Sequence, residues 1–224
     1  MNNYKEWLKT IEFTPDLNGG GPVVAPVFKN LLSGKQFDTA FEWCAGPAWI
    51  GMWLLENNIC KTLVTGDINE KSVRYVQMTA KNNNYNVRSY VSDNLKQIPK
   101  HEKFDLVVAS PPNYCNIQES HPLGYLRHDL RPSDVDWEIH KDFYRNIGEY
   151  LNKDAEMYIS EVDPYNKYFY LDGKLYDKRP EVPMQEFKKM IKVNDLELKQ
   201  VIPYNITYEN LECYILKIKQ KYGV

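Results

Sequence analysis

Nowhere in this 224-residue chain do apolar residues run to anything near eighteen in a row, and the opening "MNNYKEWLKTIEF" has no long apolar core. These absences argue against a membrane span and a secretory leader, so a cytoplasmic location is expected. Cysteine is scarce. Cys44, Cys60, Cys115 and Cys213 include no CxxC pair, which points to free thiols in a reducing compartment rather than a disulfide framework. Charge of one sign is lacking too: 28 Lys and Arg against 30 Asp and Glu leave a formal net charge of −2. No global field therefore draws the chain onto nucleic acid, and stable binding to duplex DNA is not expected. Lys188, Lys189 and Lys192 offer only a local basic patch, which a solvated helix face explains equally well. There is no internal repeat, no linker long enough to separate two domains, and no GxGxxG pyrophosphate loop.

What is present is an ordinary globular composition, 43% hydrophobic and 26% charged, with enough chain to bury a full core. Tyrosine is abundant at seventeen residues, which serves packing or the stacking of a planar ligand. Strand and helix patterns alternate. Strands are expected at 38–45, 61–69, 86–94, 103–112 and 155–163, and helices at 47–58, 70–83, 136–151 and 184–195. Two β-rich runs, 197–206 and 211–220, close the pattern as a hairpin. Such alternation implies an α/β, doubly wound, Rossmann-like, mostly parallel sheet of seven strands with a C-terminal antiparallel hairpin. Residues 1–34 read as an N-terminal arm and helix, with 13–25 as a candidate lid, and 35–224 as the domain itself. In such folds ligands bind beyond the carboxyl ends of the strands, so the chemistry belongs in the turns that follow them.

Those turns hold the unusual residues. The first strand ends in "EWCAGPA", where Glu42 precedes the small residues Cys44, Ala45, Gly46 and Ala48. Small residues there allow close approach of backbone to a ligand, and the following helix offers free N–H groups. Pro47 removes a donor from the turn, which disfavours a dinucleotide pyrophosphate. Asp67 ends the second strand, about 25 residues after Glu42, as an acid able to grip two ribose hydroxyls or to cap the next helix. Asp93 and Asn94 follow the third strand. The fourth strand, "DLVVA", runs into Ser110, Pro111, Pro112, Asn113 and Tyr114, a rigid elbow with two consecutive prolines.

Taken in order on four strand ends, these residues resemble the class I S-adenosylmethionine-dependent methyltransferases, whose first loop reads acid-x-Gly-x-Gly-x-Gly. Here Glu42, Cys44, Gly46 and Ala48 stand at the four positions, similar to Cys-Ala-x-Pro variants of some RNA methyltransferases. The resemblance implies S-adenosyl-L-methionine as cofactor. It implies that Asp67 holds the ribose, Ile68 packs on adenine, Asp93 with Asn94 reads the adenine edge, and Cys44, Ala45 and Gly46 line the methionine part. Glu42 would orient the cofactor's amino group. Ser110-Pro111-Pro112-Asn113 resembles the (Asn/Asp/Ser)-Pro-Pro-aromatic motif of the amino-methyltransferase branch, with Tyr114 one place beyond the expected ring. There the first residue, Ser110, and a proline carbonyl accept from an NH₂ group and aim its nitrogen at the methyl group.

The acceptor implied is nitrogen on a protein amide, a nucleobase or a small molecule. An O- or N-methyltransferase of small molecules with a histidine base, and a catalytically silent cofactor-binding scaffold, stay open beside it. The polar excursion 115–135 supplies His121, Arg127, His128, Asp129 and Arg131, and the excursion 163–183 supplies Tyr165, Tyr168, Tyr170 and Tyr176, as candidate substrate contacts. "LDGK" within the latter marks a small hairpin. No cysteine and histidine spacing fits a zinc site, and no metal is expected. Oligomeric state is not legible.

Overall fold

The computed structural model describes residues 9–14, 17, 21–115, 133–162, 170–171, 174–175, 184–205 and 212–221. Seven strands make one sheet: β1 (Phe37–Trp43), β2 (Cys60–Asp67), β3 (Val87–Val91), β4 (Phe104–Ala109), β5 (Leu151–Val162), β6 (Leu196–Asn205) and β7 (Glu212–Gln220). Their order is β6-β7-β5-β4-β1-β2-β3. β1 pairs in parallel with β2 and β4, β2 with β3, and β4 with β5. β7 runs antiparallel to both β5 and β6. The chain therefore has the Rossmann-like sheet that its alternation implies, hairpin included.

The central strands are apolar because both of their faces are covered. On one face Phe41, Trp43, Val107, Ala109 and Ile159 pack with Phe143 and Tyr144 of α4 (Glu138–Asn146) and Phe187 and Ile191 of α5 (Gln185–Lys192). On the other, Ala40, Leu63, Leu106 and Val108 meet α1 (Gly21–Leu32), α2 (Trp49–Glu56) and α3 (Glu70–Asn83). α3 falls where its sequence places it. The Asn69 side chain accepts from the Lys71 and Ser72 N–H groups at its start, and Asn84, in the left-handed region at φ 54°, closes its end. Ile11, Val24 and Ala25, before residue 35, pack into this second core. Phe28 and Leu32 are buried, and the Phe13 ring meets Trp49 edge-on at 4.7 Å.

Two elements differ from their sequence patterns. The helix expected over 136–151 divides into a 3₁₀ turn (Val135–Trp137), α4, and a second 3₁₀ turn (Ile147–Tyr150). Asp136 and Trp137 adopt left-handed backbone (φ 51° and 59°), which no continuous helix accommodates. β5 begins at Leu151 rather than 155, because Asn152, Lys153 and Asp154 are polar where it starts and hide the alternation. Residues Tyr170–Leu171 and Lys174–Leu175 pair as the short hairpin expected around "LDGK". A two-residue parallel pairing of Tyr114–Cys115 with Ser133–Asp134 has no counterpart in the sequence pattern. Among the described residues no helix is long and apolar enough to cross a membrane.

Candidate active site

The turn after β1 alternates in hand. Cys44, Gly46 and Ala48 have φ of 52°, 51° and 59°, so all three positions that carry glycine in the resemblance are left-handed here. For Cys44 and Ala48 that conformation costs about 1–2 kcal/mol each, strain that glycine would not carry. The turn is pinned from β2. The Gly46 N–H donates to Asp67 Oδ2 at 2.7 Å, and the Ala45 N–H to the Gly66 carbonyl at 3.1 Å. Asp67 Oδ1 accepts from the Asn69 N–H at 2.8 Å, and the Asp67 carbonyl accepts from the Ser92 N–H at 2.8 Å. Asp67 thus ties the turns after β1, β2 and β3 together. Beside it Ile68 is 44% exposed, and no atom lies within 4 Å of where a Cβ on Gly46 would point. An open, partly apolar space lies next to a carboxylate.

Glu42 points the other way along the chain's logic, into the start of α2. Its Oε2 accepts from the Gly51 N–H at 2.6 Å and its Oε1 from the Ile50 N–H at 3.3 Å. The residue preceding α2 is Ala48, which has no capping side chain, so Glu42 caps the helix from the neighbouring strand. Gly51 makes room for this contact, since a Cβ would stand 2.4 Å from Leu63 Cδ1 and 2.7 Å from Glu42 Oε2 and both side chains would have to shift. Burial pushes the Glu42 carboxyl up to about 8, although the two helix N–H groups pull it down. Burial also pushes the Cys44 thiol up, reinforced by the charges of Asp67, Asp134 and Glu161, so it is no thiolate nucleophile at neutral pH.

After β3 the Asp93 side chain is exposed and paired with Lys96 at 2.6 Å. Asn94, left-handed at φ 59°, sends its amide to the Ile139 carbonyl and to Asp142 Oδ2, both at 2.9 Å. The loop after β3 is therefore anchored to α4. At the end of β4 the elbow turns away from the sheet: Pro111 is buried and Ser110, Pro112 and Asn113 are half-buried. Asn113 Oδ1 is buried and has no partner among the described residues. The Tyr114 backbone continues into the short pairing with Ser133. The side chains of Tyr114, His121, Arg127, His128, Tyr165 and Tyr168 lie outside the described residues, as do 15–16 and 18–20 of the candidate lid.

One cluster was not legible in the sequence. Behind the strand ends, His140 of α4 stands between two carboxylates, Nδ1 2.6 Å from Asp134 Oδ2 and Nε2 3.0 Å from Glu161 Oε1. All three side chains are fully buried. Asp134 also accepts the N–H groups of Ile139 and His140, at 2.9 and 3.0 Å, which caps the first turn of α4. Burial alone would lower the His140 pKa. The Glu161 charge and the hydrogen bonds to Asp134 and Glu161 outweigh it and carry the ring to about 9, so it is an imidazolium donating from both nitrogens. The aromatic wall around it is Trp43, Trp137 and Phe187, with ring centroids 5.1–5.3 Å away. The available signal was an acid inside an apolar strand run, the Glu161 of "MYISEV".

Residues 19–123, a little under half of the chain, match the family model for the methyltransferase small domain. No curated protein matches the chain. Among solved structures, ribosomal protein L11 methylase from Lactobacillus delbrueckii subsp. bulgaricus is similar with a TM-score of 0.60 at 17% identity, over 95% of this chain and 86% of that one. TrmK of M. capricolum, in complex with S-adenosyl-homocysteine, gives 0.57 at 9% identity, over 88% and 69%. The T. thermophilus 16S rRNA N2 methyltransferase RsmC, in complex with AdoMet and guanosine, gives 0.56 at 10% identity, over 94% of this chain and 44% of that one. At these identities the likeness is one of fold. The family match lies within the sheet that these structures share, and what the chain has in common with them along its length is that fold.

Proposed function

We propose that this chain is an S-adenosylmethionine-dependent methyltransferase acting on a nitrogen. The observation that carries the reading is the pinned left-handed turn at Cys44–Ala48, held by Asp67 beside open space, with Ser110-Pro111-Pro112-Asn113 on the adjoining strand end. Two of the similar structures hold S-adenosyl-homocysteine or AdoMet, which supports the same cofactor here. Asp67 and Ile68 would take the ribose and adenine, Asp93 and Asn94 the adenine edge, and Cys44, Ala45 and Gly46 the methionine part. Glu42 acts on this site through the start of α2, whose N–H groups it holds. When bound, the cofactor supplies a methyl group already activated on a cationic sulfur, so the protein's task is mostly placement. Ser110 and the carbonyls of the elbow accept hydrogen bonds from the acceptor's NH₂, and two successive prolines keep that geometry rigid. A protein amide, a nucleobase and a small-molecule amine all meet this description.

Calorimetry with S-adenosylmethionine tests the reading. Wild type binds, Asp67→Ala weakens binding about 30-fold or more through loss of charge-assisted hydrogen bonds, and Ser110→Ala binds as wild type. Absence of binding by a folded wild type, or full affinity in Asp67→Ala, overturns it.

A further inference from the structure

Glu161 has one oxygen accounted for and one not. Oε1 faces His140, whereas Oε2 is buried and, among the described residues, has no hydrogen-bond partner. A buried carboxylate oxygen left unpaired is costly, and native proteins seldom keep one without a use. Its position narrows that use. Trp43 pairs with Ala109 and Ala109 with Ile159 across β1, β4 and β5, so Glu161, two residues on, continues the same face level with Pro111 of the elbow. The groups whose charges or hydrogen bonds bear on Glu161 are Asp134, His140 and Tyr144 from the helix side, Cys44 from the turn after β1, and Tyr204 from β6. His140 is the one cation among them, and burial raises the Glu161 carboxyl above the ordinary carboxylate range, which makes it a readier proton acceptor than an exposed carboxylate. The elbow contributes a second buried acceptor that has no partner among the described residues, Asn113 Oδ1.

We propose that Glu161 is a substrate-binding and proton-accepting residue of the transfer site, its Oε2 receiving an N–H of the nitrogen that is methylated. With one acceptor on Glu161 and one on the elbow, the substrate group is a primary amino group, which has two N–H bonds to give. The nitrogen lone pair forms the new bond to the methyl carbon, the sulfur keeps the electrons of the bond that breaks, and the nitrogen becomes cationic. Its N–H electrons then return to nitrogen as the proton passes to Glu161, which ends neutral and releases the proton to solvent with the product. His140 holds Glu161 in place through Oε1.

This inference rests on the function proposed above, and paired ligands separate the two. S-adenosyl-homocysteine is neutral at sulfur. Sinefungin carries an ammonium on the carbon that replaces the methylsulfonium, and so puts a cation with N–H donors where transfer occurs. By calorimetry, wild type prefers sinefungin, and Glu161→Gln, which keeps an oxygen for His140, lowers the sinefungin-to-S-adenosyl-homocysteine affinity ratio about 10-fold with S-adenosyl-homocysteine binding unchanged. Glu161→Asp, which keeps the charge but withdraws the oxygen, gives an intermediate ratio and serves as the reading should the glutamine variant fail to fold. An unchanged ratio in a folded Glu161→Gln, or in a folded Glu161→Asp should only that variant fold, overturns the inference while leaving the cofactor site standing. Failure of wild type to bind either ligand overturns the proposed function and this inference with it.

Discussion

A His140→Leu variant is expected to lose about 3–5 kcal/mol of unfolding free energy at pH 7, measured by urea denaturation. The substitution approximates the ring's volume but strands Asp134 and Glu161 in the interior with no counter-charge, the costliest way to break a buried ion cluster. The pH dependence follows from the direction of the His140 shift. The ring titrates near 9 in the fold against an ordinary 6.5, so the folded state holds its proton more tightly. That contribution is complete below pH 6.5 and is lost as pH climbs through about 9, a fall of about 3 kcal/mol in wild type. The gap between variant and wild type therefore narrows on the alkaline side. A gap that stays constant from pH 6 to 10 contradicts the buried imidazolium.

Glu42→Ala is expected to cost about 2–4 kcal/mol at pH 5, because it leaves the Ile50 and Gly51 N–H groups unpaired in the interior and opens a cavity beside Leu63. Here too the shift is upward, from 4.5 to about 8, but in an acid. The folded state binds the extra proton between those values, so the stability due to Glu42 is full below pH 4.5 and lost as pH rises through about 8. The deficit of the alanine variant is thus largest in acid and shrinks toward pH 8. Glu42→Gln, which cannot titrate, should flatten the wild-type slope across that window. An unchanged slope would place the charge elsewhere.

Both residues show where sequence reading reaches and where it stops. The strands of the parallel core were legible because burial on two faces writes them as apolar runs, "LVVA" and "TLVTG" among them. The turn after β1 was legible from its small residues, and Asp67 from its place at the end of β2. That Cys44 and Ala48 share the left-handed backbone of Gly46 was not legible, since neither residue type favours it. Glu42 was visible as an acid before the turn, but not as the cap of α2, because the partners lie eight and nine residues on and depend on how the helix folds back. The cluster around His140 was invisible for a stronger reason. Its members are a residue at the end of a polar excursion, one on a helix and one in a strand, and only tertiary packing brings them within 3.0 Å.

Synthesis order gives the sheet one more consequence. Among the seven strands β7 is the last to be made, yet it lies one in from the sheet's edge, between β6 and β5. Until residues 212–220 leave the ribosome, β5 has a bare edge along its whole hairpin-facing side, and Ile215, Leu216 and Ile218 are missing from both cores. Strands β1 to β5 can pair as the chain emerges, but the outer edge of β5, the strand that carries Glu161, must wait for β7. A nascent chain paused before β7 is thus a candidate for chaperone capture at that edge.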